Sequence, residues 1–149
     1  MYSSSASIFI RAPRPDVWDA LTRPELVQKY FFGTLLTTDW SVGSSITFRG
    51  VWDGKAYEDR GTVRSFEPAR SLSFDYWSSF SGIEDKPELR QLIRYDLADD
   101  DRGVLVTIQQ SNVDTQERAD HSAKNWQTVL EGLKALVEEH SSKSAHAAP

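Results

Sequence analysis

Apolar and polar residues alternate along most of the chain after residue 33, a pattern typical of β-strands with one buried face. A separate first strand is predicted over residues 7–11. Among the connections, Asp53-Gly54 is the strongest turn signal, because both central residues of a type I′ turn need a positive φ. Six later strands are predicted over Leu35–Thr38, Ser45–Val51, Ala56–Phe66, Ser71–Trp77, Leu89–Leu97 and Val104–Ser111. Their short connections indicate an antiparallel meander.

Three other segments have apolar residues at helical spacing. Two short helices are predicted over Asp16–Leu21 and Glu25–Tyr30, each near a proline that the start of a helix tolerates. A long final helix is predicted from Asp114, which has the capping-box spacing to Glu117. The apolar stripe of this helix comprises Ala119, Ala123, Trp126, Leu130, Leu133 and Val137. Such a stripe predicts that the helix lies on the core.

These elements predict an α+β fold. A single amphipathic helix has to cover a strongly curved sheet, and the economical packing lays the helix across the concave face. We therefore expect a curved antiparallel β-sheet wrapped around a long C-terminal α-helix, with two short helices after the first strand. A single domain is expected over residues 1–140, followed by a disordered tail over residues 141–149. This packing leaves a cavity between the sheet and the helix.

Strand alternation predicts which side chains face that cavity. On the predicted strand Ala56–Phe66, the face that holds Gly61 and Val63 also holds Asp59, although a bulge near Gly61 would reverse this phase. We expect the cavity to be lined by Phe48, Tyr57, Asp59, Phe74, Tyr76, Gln91, Ile93, Tyr95, Gln110 and Trp126. Most of this lining is apolar, with a few polar groups, as in sites for small ligands.

Each polar member of this lining has a structural and a functional interpretation, because a buried amide or carboxylate needs a partner, water or a ligand. Gln91 and Gln110 either pair with each other, the backbone or water, or contact a ligand. Asp59 either forms an ion pair with an arginine such as Arg60 or Arg64, or is exposed, or is a functional carboxylate. The tyrosines are more often core residues than catalytic acids.

Two segments near the predicted cavity also have a structural and a functional interpretation. Trp126 is either a core anchor or the roof of a pocket. The run Ser78–Gly82 is either an ordinary connection or a mobile portal into the cavity.

Composition and charge narrow the classes of function. The 149 residues contain 17 Lys and Arg against 22 Asp and Glu, a net charge of −5, which argues against nucleic-acid or anionic-membrane partners. The absence of cysteine excludes disulfides, thiolate metal sites and cysteine nucleophiles. His121 lacks a second histidine ligand at helical spacing, so we expect neither a metal nor another cofactor. No signal peptide or bilayer-length apolar run is recognised, and the expected location is the cytoplasm.

One stretch carries a family resemblance. Residues 10–22 read I-R-A-P-R-P-D-V-W-D-A-L-T, which resembles the opening signature of the activator of heat shock protein 90 ATPase homologue-like family. This family lies within the START-like, helix-grip, birch-pollen-allergen-like (SRPBCC) superfamily. Three later stretches agree in kind: Gly61-Thr62-Val63 before Pro68-Ala69-Arg70, Arg94–Leu97 before Gly103, and Asn125-Trp126 leading into Leu130 and Leu133.

The resemblance covers residues 7–140 and implies a helix-grip fold with a hydrophobic cavity for small apolar ligands. It carries over no catalytic residue. Tyr30 stands where the family often has tryptophan, and Asn125 replaces the usual glycine before Trp126. Both differences bear on the shape of the cavity.

Three functions remain open. The leading hypothesis is a soluble binding protein for a small hydrophobic or aromatic ligand, held between the sheet and the C-terminal helix. The second is a cyclase- or dehydratase-type enzyme for a polyketide-like substrate, in which Asp59 is the base and a tyrosine hydroxyl is the acid. The third is a co-chaperone-like protein-interaction module, and a protein partner or a homodimer is possible under this hypothesis. Binding without turnover is the favoured interpretation.

Overall fold

The strands and helices of the computed structural model follow the predicted order. The structure describes the backbone of residues 1–147 and the side chains through residue 139. The elements are β1 (Tyr2–Ile10), α1 (Arg14–Thr22), α2 (Pro24–Tyr30), β2 (Leu35–Thr37), β3 (Ser45–Trp52), β4 (Lys55–Glu67), β5 (Ser71–Tyr76), β6 (Gln91–Asp100), β7 (Gly103–Val113) and α3 (Gln116–Ala147). This order confirms the predicted α+β fold class.

The seven strands form one antiparallel sheet in the order β1-β7-β6-β5-β4-β3-β2. Helix α3 packs against β1 and β7, and α1 and α2 contact α3 from the side of the β1–β2 connection. The curved sheet therefore grips α3, as predicted. No helix within residues 1–147 is long and apolar enough to cross a membrane.

The core lies between the inner face of the sheet and α3. Helix α3 contributes Ala119, Trp126, Val129, Leu130, Leu133 and Val137 to it, all of them buried. Gly132 lies on the same helix where α2 passes closest, since an added Cβ would lie 3.1 Å from the Cβ of Tyr30. The predicted apolar stripe therefore faces the core, and its glycine allows the close approach of α2.

Two tight positions fix the part of the sheet that carries the site. Asp53 and Gly54 have φ values of 52° and 76°, which confirms the predicted turn between β3 and β4. At Gly61 of β4, an added Cβ would lie 1.7 Å from the carbonyl oxygen of Asp75 on β5. Only glycine fits at this point of contact between the two strands.

Two local predictions were wrong. Leu89 was expected to begin a strand, but it lies in a 3-10 turn over Pro87–Leu89, where its N–H donates to the carbonyl of Lys86, and it is 41% exposed. Asp114 was expected to cap the last helix. Thr115 does so instead, since its hydroxyl accepts a hydrogen bond from the N–H of Arg118 at 3.1 Å.

The C-terminal boundary also differs from the prediction. Helix α3 continues through Ala147, and residues 141–147 of the segment expected to be disordered belong to it. No glycine or proline interrupts these seven residues, so the sequence supplies no stop signal after His140. Residues 148 and 149 of the expected tail lie outside the described residues.

Candidate functional site

Five aromatic side chains meet between the sheet and α3. Each comes from a different segment: Phe31 follows α2, Phe48 lies on β3, Phe74 on β5, Tyr95 on β6 and Trp126 on α3. Going round in that order, the ring centroids are 6.1, 5.5, 5.9 and 6.0 Å apart, and 5.7 Å separate Trp126 from Phe31. The contacts close on themselves, and we call these five side chains the aromatic cluster.

The aromatic cluster lies in the region where the sequence predicted a cavity. Ile93, which lies opposite Phe74 in the register of β5 and β6, is 2% exposed and belongs to the same core. Two surface cavities of about 380 and 290 Å³ lie elsewhere, the first beside Arg14 and Arg102 and the second beside Ser4 and Arg94. Phe31 enters the region between the sheet and α3 from the α2–β2 connection, where its ring contacts Phe48 and Trp126.

Gln91, Gln110 and Trp126 form a hydrogen-bonded chain that we call the amide relay. The indole Nε1 of Trp126 donates to Oε1 of Gln110 at 2.7 Å, and Nε2 of Gln110 donates to Oε1 of Gln91. Gln110 is 6% exposed, so these bonds satisfy polar groups that would be costly to bury alone. The two glutamines are thus paired with each other, one of the two interpretations left open by the sequence.

Asp59 faces the interior, as strand alternation predicted. It is 7% exposed and lies opposite Phe48 in the register of β3 and β4. Its carboxylate accepts hydrogen bonds from the Tyr76 hydroxyl, and from the N–H and hydroxyl of Ser79 at 2.8 and 3.0 Å. Burial, together with the negative charge of Asp59, raises the pKa of Tyr76 well above its ordinary value. No arginine pairs with Asp59 among the described side chains.

Tyr57 lies apart from the aromatic cluster. Its ring covers Gly50, where an added Cβ would lie 2.6 Å from the tyrosine oxygen, and its hydroxyl is hydrogen-bonded to the hydroxyl of Thr34. The ring also lies 5.7 Å from that of Phe80, in the segment that follows β5. Tyr57 was expected to line the cavity together with the aromatic cluster. It lies instead beside the β5–β6 connection.

Charged side chains fix the β5–β6 connection on the outer face of the sheet. Asp75 is buried and accepts hydrogen bonds from Arg64 and Arg90, at 3.0 and 2.9 Å. Asp85 forms ion pairs with both Arg90 and Arg60, each at 2.8 Å. The hydrogen bond from Arg90 lowers the pKa of Asp85. This network was not predictable from the sequence, because alternation indicates only that Asp75 points away from the core.

Phe31 is a further site residue that was not predicted from the sequence. Its half-buried ring contacts Phe32, whose ring in turn lies 5.6 Å from that of Trp52. Phe32 is 44% exposed and Trp52 is 57% exposed, so aromatic contacts lead from the surface to the aromatic cluster. The apolar run Tyr30-Phe31-Phe32 was the available signal, but it has no periodicity that assigns a direction to each ring.

Comparison with known proteins identifies the family. Residues 11–138 match the family profile described as Activator of Hsp90 ATPase homolog 1-like protein. The chain belongs to this family. The assignment confirms the resemblance of residues 10–22 and of the later stretches, and it accounts for the curved sheet around α3. No curated protein matches the sequence.

Solved structures of similar proteins agree with the family assignment. ChR145 from Cytophaga hutchinsonii, known from a solution structure, is 38% identical in sequence to this chain. The match covers 95% of this chain and 97% of ChR145, with a TM-score of 0.80. The Aha1 dimer from Colwellia psychrerythraea is 20% identical, with 93% and 97% covered and a TM-score of 0.72. DynU16, from the dynemicin biosynthetic locus, is 18% identical, with 93% and 48% covered and a TM-score of 0.77. At 20% and 18% sequence identity, the last two similarities show a shared fold and nothing more.

Proposed function

We propose that this chain binds a small aromatic or otherwise apolar molecule between the sheet and α3, within the aromatic cluster. The observation that carries the proposal is the closed circle of five rings from five separate segments. Aromatic pairs at such separations stabilise each other by about 0.5–1.5 kcal/mol beyond their buried area. A flat ligand ring offers the same contacts as one member of the cluster, and can therefore take its place.

Phe31 is the member that a ligand ring replaces. The other four rings stand on strands or on α3, where backbone pairing or helix packing holds them. Phe31 lies in the connection after α2 and is half-buried, and the next two residues, Phe32 and Gly33, have φ values of 55° and 71°. Its ring can move toward Phe32 and Trp52 at the surface without breaking the sheet. The cluster then opens for a ligand from that side.

The polar groups beside the aromatic cluster support a binding role. A ligand site is mostly apolar, with a few polar groups that orient the ligand. Here those groups are the amide relay and the hydroxyl of Tyr95, a residue that is 5% exposed. A hydroxyl at this place can donate or accept a hydrogen bond, so a bound ligand has a polar contact available there.

The test uses naphthalene as the probe and the wild-type protein, with Phe31→Ala as the main variant. Wild-type protein is expected to bind the probe in calorimetry, with quenching of tryptophan fluorescence. Phe31→Ala is expected to be less stable by about 1–3 kcal/mol, because the lost ring is half-buried. It is also expected to bind naphthalene more tightly than the wild type, because no ring has to be displaced first.

Phe32→Ala is the matched control for this variant. Phe32 is the next residue and is also a phenylalanine, but its ring contacts Phe31 and Trp52, and no other ring of the aromatic cluster. Its removal is expected to change naphthalene affinity less than the removal of Phe31. Binding by Phe31→Ala without binding by the wild type would mean that the site is created by the substitution, and the proposal would then be wrong.

The geometry of Asp59 favours binding over acid–base catalysis. Both carboxylate oxygens already accept hydrogen bonds, from the Tyr76 hydroxyl on one side and from Ser79 on the other. The raised pKa of Tyr76 makes its hydroxyl a weaker proton donor. We therefore assign Asp59 to holding Ser79 rather than to a reaction.

Phe32 and Trp52 give a second candidate function, contact with a protein partner. These two exposed rings touch each other at 5.6 Å, and exposed Leu35 and Val51 lie on the adjoining strands β2 and β3. Exposed aromatic side chains of this kind are enriched in protein interfaces. A similar structure is described as an Aha1 dimer, so a second copy of this chain is one partner to test. Light scattering of wild type and Trp52→Ala distinguishes this function from ligand binding.

A further inference from the structure

The amide relay has a fixed direction. An indole N–H can only donate a hydrogen bond, so the oxygen of the Gln110 side chain has to face Trp126. The nitrogen of Gln110 then faces Gln91, and since a nitrogen with two hydrogens needs an acceptor, the oxygen of Gln91 faces Gln110. Trp126 thus determines the orientation of both amides, which diffraction alone seldom distinguishes.

The end of the amide relay is a free donor. Nε2 of Gln91 carries two hydrogens and donates to no group in the part of the chain with described side chains. Gln91 is half-buried on the inner face of β6 and lies directly opposite Tyr76 on β5. The Tyr76 hydroxyl donates its hydrogen to Asp59, and no hydrogen bond joins its oxygen to the Gln91 nitrogen among the described side chains.

The charges near this end also restrict the ligand. The amide relay and the aromatic cluster are uncharged, and the buried charge nearest to Tyr76 is the carboxylate of Asp59. A ligand carboxylate would be repelled by Asp59, and burying it among aromatic rings would cost more than any single hydrogen bond returns. A neutral hydrogen-bond acceptor on the ligand is not repelled by Asp59 and carries no charge that has to be buried.

We infer that the ligand of this site carries a neutral carbonyl oxygen, as in an aromatic ketone or quinone, which accepts a hydrogen bond from Nε2 of Gln91. This inference rests on the proposed function, because it requires a ligand ring within the aromatic cluster. The hydroxyl of Tyr95, four residues along the same face of β6, can donate or accept, so it adds a second polar contact without opposing this preference. Gln91 is the residue that selects the carbonyl group.

The test compares two probes of nearly the same shape, 2-acetylnaphthalene and 2-isopropylnaphthalene. The measured quantity is the ratio of their affinities, ketone over hydrocarbon, in the wild type and in Gln91→Met. Because a hydrogen bond to a neutral partner contributes modestly, the ratio is expected to fall about three- to tenfold in Gln91→Met. Gln109→Met is the matched control, since Gln109 is exposed on β7 beside Gln110 and is expected to leave the ratio unchanged.

A second variant reverses the polarity of the relay. In Gln91→Glu one oxygen still accepts from Gln110, and the other becomes a free acceptor in place of the donor. The preference is expected to shift from 2-acetylnaphthalene toward 2-naphthol, which can donate. Both variants are compared with the wild type by melting temperature, so that loss of folding is recognised before affinities are compared.

The outcomes separate this inference from the proposed function. If both probes bind and the affinity ratio is the same in wild type and Gln91→Met, the carbonyl preference is wrong and the aromatic site stands. If neither probe binds to the wild type, the proposed function fails and the inference fails with it. A fall in the ratio that Gln109→Met reproduces equally would also overturn the role of Gln91.

Discussion

Among single residues, the buried tyrosines differ in how their hydroxyls are satisfied. Tyr76 donates to Asp59, and Tyr30 donates to the carbonyl of Ala20 at 2.7 Å. Tyr95 donates to no described group. Burial raises the pKa of all three hydroxyls above the ordinary tyrosine value, and the Asp59 charge adds to this for Tyr76. Each of these side chains therefore stays neutral in the folded protein through the physiological pH range.

The raised pKa of Tyr95 predicts a loss of stability at alkaline pH. An unfolded tyrosine ionises near pH 10, while the folded Tyr95 retains its proton above that value, so the free energy of unfolding falls as pH rises beyond about 10. Tyr95→Phe removes this contribution. Its stability is expected to differ from the wild type by less than about 1 kcal/mol at pH 7, because no described partner is lost. Urea unfolding across pH 7–11 measures both effects.

Tyr2→Phe is the control for this experiment, since Tyr2 is an exposed tyrosine at the start of β1. It is expected to keep the alkaline loss of the wild type. Equal alkaline losses in Tyr95→Phe and the wild type would contradict the assigned burial of the Tyr95 hydroxyl. Strong destabilisation of Tyr95→Phe at pH 7 would reveal a hydrogen-bond partner.

At the level of elements, the β5–β6 connection, residues 77–90, is fastened on both faces of the sheet by adjacent residues of β4. Asp59 holds Ser79 on the inner face, while Arg60 pairs with Asp85 and lies 4.9 Å from the centre of the Trp77 ring. Helix α3 adds a third contact, because Arg118 donates to the carbonyl of Ser81 at 3.0 Å. Any opening of the predicted portal over residues 78–82 has to break these contacts.

Asp85→Asn is predicted to loosen residues 77–90 without unfolding the protein. The substitution removes the charge that pairs with Arg60 and Arg90, while Asp75 keeps its contacts with Arg64 and Arg90. Partly exposed ion pairs contribute little, so global stability is expected to fall by no more than about 1 kcal/mol. Hydrogen exchange of amides in residues 77–90 is expected to become several-fold faster.

The lowered pKa of Asp85 gives the pH dependence of the same connection. The folded carboxyl has a lower pKa than the unfolded one, so its stabilisation is present above about pH 4 and is lost as pH falls through the folded value. Asp101→Asn, at the exposed turn between β6 and β7, is the control. Unchanged exchange in residues 77–90 of Asp85→Asn would show that the ion pairs do not hold this connection.

Strands and their faces were predictable because alternation is a local signal. It gave the inward positions of Asp59, Gln91 and Gln110 before any contact was known. Element boundaries were less predictable: the turn that ends at Leu89 depends on two local backbone hydrogen bonds, and the cap of α3 is Thr115, one residue later than predicted. Such choices depend on local geometry that residue type alone leaves open.

For the whole molecule, the family and fold were predictable, but the packing of the site was not. Phe31 enters the aromatic cluster from a connection without periodicity, so nothing in the sequence gives its direction. Asp75 is buried because the chain from Asp85 to Arg90 returns across the outer face of the sheet, a long-range event that strand alternation does not encode. The expectation of a cavity followed from the fold class, and it did not include the ring of Phe31, which contacts Phe48 and Trp126 there.

The indole N–H of Trp126 tests the central claim, because Trp126 belongs to both the aromatic cluster and the amide relay. In a ¹H–¹⁵N spectrum, Trp126→Phe identifies its signal among those of the five tryptophans. Titration of the wild type with 2-acetylnaphthalene is predicted to shift this signal saturably and to leave that of Trp77, which donates to Ile83, in place. Shifts confined to the exposed Trp52, or no shift of any indole signal, would contradict binding within the aromatic cluster.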